Sequence, residues 1–215
     1  MKISRWLLLS FVVASYILAF VLYNNMPDPM VSHWNAQGVP DGYVSRFGGM
    51  LHLPFAITGF TLFFLIIPKI DPLKKNVEKF SSAYDWFVAF FAGFMLYVYV
   101  LTLLWNFDVR FDFVQLLIPA IAMLFFLVGI LLGKAKRNYF IGIRTAWTLN
   151  NEEVWDRTHK IGSRVFKIAA ILTLPGVFLP SHLAMWFMLA PILSAAIILI
   201  ITSYVIHQRV AAAGD

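Results

Sequence analysis

Five long runs of apolar residues dominate this chain, and the last, from Ile168 to Ile206, is long enough for nearly two membrane spans. A bilayer core takes about 20 helical residues. The runs therefore read as spans over residues 6–23, 50–68, 84–105 and 113–133. The Pro180-Ser181-His182 break divides the long run into a fifth span at 163–179 and a sixth at 184–206. A helix closes its backbone hydrogen bonds within one segment, as lipid demands, and the alternation of a β-barrel strand is absent. The expected fold is all-α: a polytopic membrane protein with six transmembrane helices. Composition agrees, because a chain of 215 residues that is 60% hydrophobic and 13% charged carries more apolar surface than a soluble fold of that size can bury.

Lys and Arg set the orientation. With six spans, one side holds Lys2, Arg5, Lys69, Lys74, Lys75, Lys79, Lys134, Lys136, Arg137, Arg144, Arg157, Lys160, Arg164, Lys167 and Arg209, and the other holds only Arg46 and Arg110. The positive-inside rule assigns the first group to the cytoplasm, together with the N and C termini. One span more or fewer would scatter these charges over both sides. The net charge of +6 is thus explained by topology, which argues against a nucleic-acid partner. The absence of cysteine excludes disulfides, thiolate nucleophiles and cysteine metal sites. The first span is read as retained, because Asn24-Asn25-Met26-Pro27 offers no small-residue cleavage site.

Several features inside the spans read as structural. Pro175 should kink or cap a helix, and Pro54, Pro119 and Pro191 fall near span beginnings, where proline is tolerated. Gly129 and Gly133 form a small-x-x-x-small pair suited to close helix packing. Trp6, Trp105 and Trp186 suit interfacial anchoring. Asp85, at the mouth of the third span, suits helix capping, solvation or a charge pair. No midplane acid, base or arginine marks an ion or proton path.

Two connections carry the remaining chemistry. The external one, residues 24–49, is rich in Pro, Gly and Asn, and Pro40-Asp41-Gly42 is a turn signal. It should fold as a hydrogen-bonded cap, with His33, Asn35 and Asp41 as candidate ligand groups. The cytoplasmic one, residues 134–161, mixes charge and aromatics most densely. Asn150 is placed to cap a helix running into the fifth span, with Glu153 in the capping-box position. On that helix Val154 and Thr158 share a face, as do Trp155 and His159. Gly142 suits a tight turn, and Lys136, Arg137 and Arg144 suit anionic lipid headgroups or a docked partner. Nucleotide, zincin and hydrolase motifs are absent, no cofactor is implied, and the adjacent Ser181-His182 pair does not by itself make a catalytic site.

The segment Arg137-Asn138-Tyr139-Phe140-Ile141-Gly142-Ile143-Arg144-Thr145-Ala146-Trp147-Thr148-Leu149, followed by Glu153-Val154-Trp155 and Thr158-His159, resembles the signature of the SdpI family of bacterial membrane proteins. The external Pro27, His33-Trp34-Asn35, Gly38 and Pro40-Asp41-Gly42 resemble a small amino-terminal domain often fused to it. Ala146 departs from the family pattern, where proline is common, and could loosen the turn before Trp147.

The resemblance implies a multi-pass protein of the bacterial plasma membrane with two parts: a two-span domain over residues 1–68 and a four-span domain over 69–215. It also implies immunity against a secreted, membrane-active peptide toxin, and signalling by holding a cytoplasmic transcriptional repressor at the membrane. On that reading the ligand or partner surfaces are His33, Asn35 and Asp41 outside, and Arg137, Asn138, Tyr139, Arg144, Trp147, Glu153, Trp155 and His159 inside. Two other functions compete. A small transporter or exporter of peptide or lipid requires a polar path to the midplane. A metal-dependent membrane enzyme would use Glu152, Glu153, Asp156 and His159 to bind a cation and activate water.

Overall fold

A computed structural model describes residues 3–213; Lys2 lies outside the described residues. Among the described residues, the regular elements are helices apart from one small hairpin. Its elements are α1 (Ile3–Leu22), β1 (Met30–Trp34), β2 (Pro40–Val44), α2 (Arg46–Ile70), α3 (Lys74–Lys79), α4 (Ser81–Asn106), α5 (Phe113–Lys134), α6 (Ala146–Asn150), α7 (Glu152–Thr173) and α8 (Ser181–Ala212). Six of the helices are long and apolar enough to cross a membrane. Pro175 ends α7 instead of kinking it: the α-helix stops at Thr173 and a 3-10 turn, Leu174–Phe178, leads to Pro180 at the cap of α8.

The long helices run between two faces. On one, Arg5 at the start of α1 pairs with Asp85 at the start of α4. There too the Asn76 side chain, on α3, donates to the Arg137 carbonyl, and Trp147 packs on Tyr204 and His207 near the end of α8. Both described ends of the chain therefore share this face, along with the α5–α7 connection. The opposite face carries the hairpin.

Prolines fall deeper in the helices than sequence position suggested, because α2 begins at Arg46 and α8 at Ser181. Pro54 and Pro68 cannot donate to the carbonyls of Met50 and Phe64 one turn earlier. Two α4 hydroxyls take those acceptors: Tyr99 Oη donates to Met50 O at 2.8 Å and Tyr84 Oη to Phe64 O at 2.7 Å. In lipid this is how a proline-broken ladder is made good. Gly129 and Gly133 do mark a close approach. A Cβ at Gly129 would lie 2.9 Å from the Ser163 carbonyl oxygen, and one at Gly133 would lie 2.9 Å from Ser163 Oγ, so α5 and α7 meet with backbone nearly in contact.

The hairpin, β1 antiparallel to β2, breaks the otherwise all-α pattern. Its turn lies at Asn35–Val39, not at Pro40-Asp41-Gly42, which is part of β2. The Asn35 side chain explains the shift: its Oδ1 accepts from Gln37 N and Val39 N, both at 3.0 Å, and closes the turn first. Gly38 supplies the positive φ of 74°. The hairpin is fixed to the helices by Asn106, whose amide exchanges two hydrogen bonds with the Val31 backbone at 2.8 and 3.0 Å. Trp34 also stacks on Phe113 at 3.9 Å and meets Trp105 edge-on. Trp105 is thus part of this cluster, with Arg110 over its ring, while Trp6 and Trp186 stay exposed as anchors would.

Candidate functional site

Residues 135–151 fold back onto the first turns of α7 and form a compact module. Asn138 starts it. Its side chain is fully buried and fully used: Oδ1 accepts from Phe140 N and Ile141 N, and Nδ2 donates to the carbonyls of Lys136 and Ile141. Four hydrogen bonds from one amide set the loop's path, a buried polar group completely satisfied. Arg137 Nη1 ties the loop to Leu149 O at 3.1 Å, and Arg144 Nη1 donates to Tyr139 O at 2.9 Å.

The loop then crosses His159. Ile143 N donates to His159 Nε2 at 3.0 Å, and His159 Nδ1 lies 2.9 Å from Trp155 O. An acceptor at Nε2 and a carbonyl at Nδ1 fix the neutral Nδ1–H tautomer, so neither nitrogen is left for a metal or a substrate proton. The Trp155 ring stacks on the imidazole at 3.9 Å, and its Nε1 donates to Ala135 O at 2.9 Å. Gly142 passes directly above: its φ is 118°, and a Cβ there would fall 2.3 Å from His159 Nε2. Only glycine fits this position.

The second half of the module is a helix start that sequence reading placed wrongly. Asn151, not Asn150, caps α7, its side chain accepting from Val154 N, so Glu153 closes no capping box there. The capping box is instead at Thr145 and Thr148, which open α6. Thr148 Oγ1 also donates to Ile143 O at 2.8 Å. Ala146 takes the first position of α6, where proline is tolerated but not required. The Thr145 cap holds this turn without it. Trp147 leaves the module to pack on α8.

The shared faces on α7 are as expected: Val154, Trp155, Thr158 and His159 are all buried. The carboxylates face elsewhere. Glu153 pairs with Arg157 one turn on, Asp156 pairs with Lys136 at 3.1 Å, and Glu152 is exposed. The four residues of a cation-binding enzyme are therefore not brought together. Among the described residues, no three His, Asp or Glu side chains are grouped to hold a metal.

On the hairpin face, His33 and Asp41 come together across the strands, Nδ1 to Oδ1 at 2.5 Å, with both side chains open to the surroundings. Asn35 does not join them, because it is committed to the turn.

Sequence reading missed Asp71. It is buried at the end of α2, where Oδ1 accepts from Leu73 N at 2.6 Å and Oδ2 accepts from Tyr139 N at 2.9 Å. With Asn76 it latches the α2–α3 corner to the module. Its Asp-Pro context signalled only a local turn, and its second partner lies 68 residues away. Asp112 was also missed: it caps α5 through Gln115 N and accepts from the Ser181 hydroxyl.

Residues 134–203, which include this module, match the SdpI/YfhL protein family, and residues 11–58, which include the hairpin, match a domain of unknown function, DUF1648. The immunity protein SdpI of Bacillus subtilis (strain 168) is 22% identical over 200 residues, covering 92% of this chain and 93% of that protein. No solved structure matches the chain. Homology to the SdpI/YfhL family and to DUF1648, joined to six apolar helices long enough to span a bilayer, is consistent with an SdpI-type protein, multi-pass in the bacterial plasma membrane.

Proposed function

We propose that the protein gives its host immunity to a membrane-active peptide toxin and relays the toxin's presence to a cytoplasmic transcriptional repressor. The observation that carries this reading is the homology to an immunity protein along nearly the full length of both chains. A toxin-immunity or signalling role needs two recognition surfaces and no reaction centre. The arrangement of side chains is in keeping with that, since the polar groups of the module are spent on holding its own shape.

The hairpin face is taken as external, on the strength of the Lys and Arg bias. There His33 and Asp41 offer an open ionisable pair, and Asn35 shapes the turn beside them. Inside, Tyr139, Arg144 and Glu153 are exposed to a partner. Arg137, Asn138, Trp147, Trp155 and His159 support that surface from beneath or from the side. Relay between the faces requires two helix arrangements that the external ligand biases.

The test is survival. Toxin-sensitive bacteria expressing the chain are challenged with secreted membrane-active peptides, beginning with the toxin that the Bacillus subtilis immunity protein resists. Protection above the empty-vector level supports the reading, and capture of a DNA-binding repressor only in the presence of toxin supports the relay. Membrane expression at normal levels with no protection against any such peptide refutes it.

A further inference from the structure

A crevice of about 380 Å³ lies between α2 on one side and α5 and α7 on the other, with α4 as its floor. Phe64, Phe87, Leu131 and Phe166 line it from the four helices. Residues 140–144 of the module close the end nearest the face that holds the chain's described ends. The α2, α4 and α5 positions belong to the half of each helix next to that face, and Phe166 lies just past the middle of α7, so the crevice sits toward that face. Arg144 stands at the closed end and is the one charged residue among those lining the crevice.

We propose that this crevice seats an anionic phospholipid, with an acyl chain between α2 and α7 and the phosphate against Arg144. The walls are apolar and aromatic, which suits a hydrocarbon chain and offers water almost no partners. The guanidinium is at the level of the module, beside the ends of the apolar helices. Nη1 donates to Tyr139 O, which leaves the other edge of the fork to bind a phosphate oxygen pair. The basic residues clustered on this face add attraction for an anionic headgroup over a neutral one. The seated lipid would also touch Gly142 and Ile143, the residues that lie on His159, so the module and the bilayer would share one surface.

The test measures retained lipid and needs neither toxin nor repressor, so it fails or succeeds independently of the immunity reading. The full-length protein is reconstituted in phosphatidylcholine vesicles containing phosphatidylglycerol and gently extracted, and its bound lipids are counted by native mass spectrometry. Wild type retains one phosphatidylglycerol in preference to phosphatidylcholine. Arg144→Gln, which can still donate to Tyr139 O, lowers that preference roughly fivefold, the weight of one basic residue near a membrane surface. Arg144→Lys retains most of the preference. Leu131→Trp fills the crevice and removes the bound lipid whatever its headgroup. Equal retention of the two lipids by wild type overturns the proposal, as does an undiminished preference in Arg144→Gln. Recovery of the crevice empty, or occupied by a hydrophobic peptide, also overturns it.

Discussion

Gly142→Ala measures how tightly the module is clasped to α7. The added Cβ would lie 2.3 Å from His159 Nε2, where ordinary contact begins at 3.4 Å, so the imidazole must retreat by roughly 1 Å. It has nowhere to go, being stacked on Trp155 at 3.9 Å and tied to the Trp155 carbonyl. Retreat breaks the Ile143 N–H to Nε2 bond and leaves a donor and an acceptor unpaired, at about 1–3 kcal/mol. An L-residue at a φ of 118° adds about 1–3 kcal/mol of backbone strain. The substitution should therefore cost about 2–6 kcal/mol, a large share of ordinary domain stability. In a His159→Ala background the clash and the hydrogen bond are already gone, so Gly142→Ala should cost only the strain. The cycle predicts a coupling of about 1–3 kcal/mol. Denaturant unfolding in detergent micelles gives the four stabilities, and hydrogen exchange at the Ile143 amide locates the opening. Costs that add to within about 0.5 kcal/mol would refute the claim that Gly142 and His159 act as one clasp.

Three further outcomes are expected. Asp71→Ala removes the acceptor of two backbone N–H groups, lowers stability by about 1.5–3 kcal/mol and speeds exchange at Tyr139, while Asp71→Asn does less; unchanged Tyr139 exchange would remove the latch. Tyr99→Phe leaves the proline-freed Met50 carbonyl unpaired and costs about 1–3 kcal/mol, and most of that cost vanishes in a Pro54→Ala background, where the helix regains its own donor; equal costs in both backgrounds would break the link between hydroxyl and proline. The chain has no cysteine, so single cysteines report sidedness cleanly: Gln37→Cys should react with a membrane-impermeant thiol reagent on intact cells and Glu153→Cys only after permeabilisation, and the reverse pattern would invert the proposed topology.

The six helices were legible because length and apolar content suffice to define a span. Their ends were not. The fifth apolar span was set at Ser163 within a helix expected to begin beside Asn151; α7 does run unbroken from Glu152, its amphipathic first turns burying Val154, Trp155, Thr158 and His159 against the module, and only the cap moved, from Asn150 to Asn151. The pairing of Trp155 with His159 followed from helical spacing alone. What covers them did not, since Gly142 and Ile143 arrive from a loop with no periodicity. The turn at Pro40-Asp41-Gly42 was misplaced because three good turn residues competed with a single asparagine, and the asparagine side chain acts at shorter range. Asp71 and Asn106 were invisible for a different reason: each is an isolated polar residue at a helix end, and its partner is fixed only by how the helices pack.

The length of α8 gives one contact a mechanical meaning. Ser181, at its start, sits 3.2 Å from where a Cβ on Gly38 of the hairpin turn would be, and His207, near its end, lies under Trp147 of the module. At 1.5 Å per residue the two points are about 39 Å apart on one continuous helix. A rod of that span turns a tilt of about 5° at the hairpin into a displacement of about 3 Å at Trp147. Pro191 is the one proline in this rod and removes a donor from its ladder, so it marks where the lever would bend before it transmits.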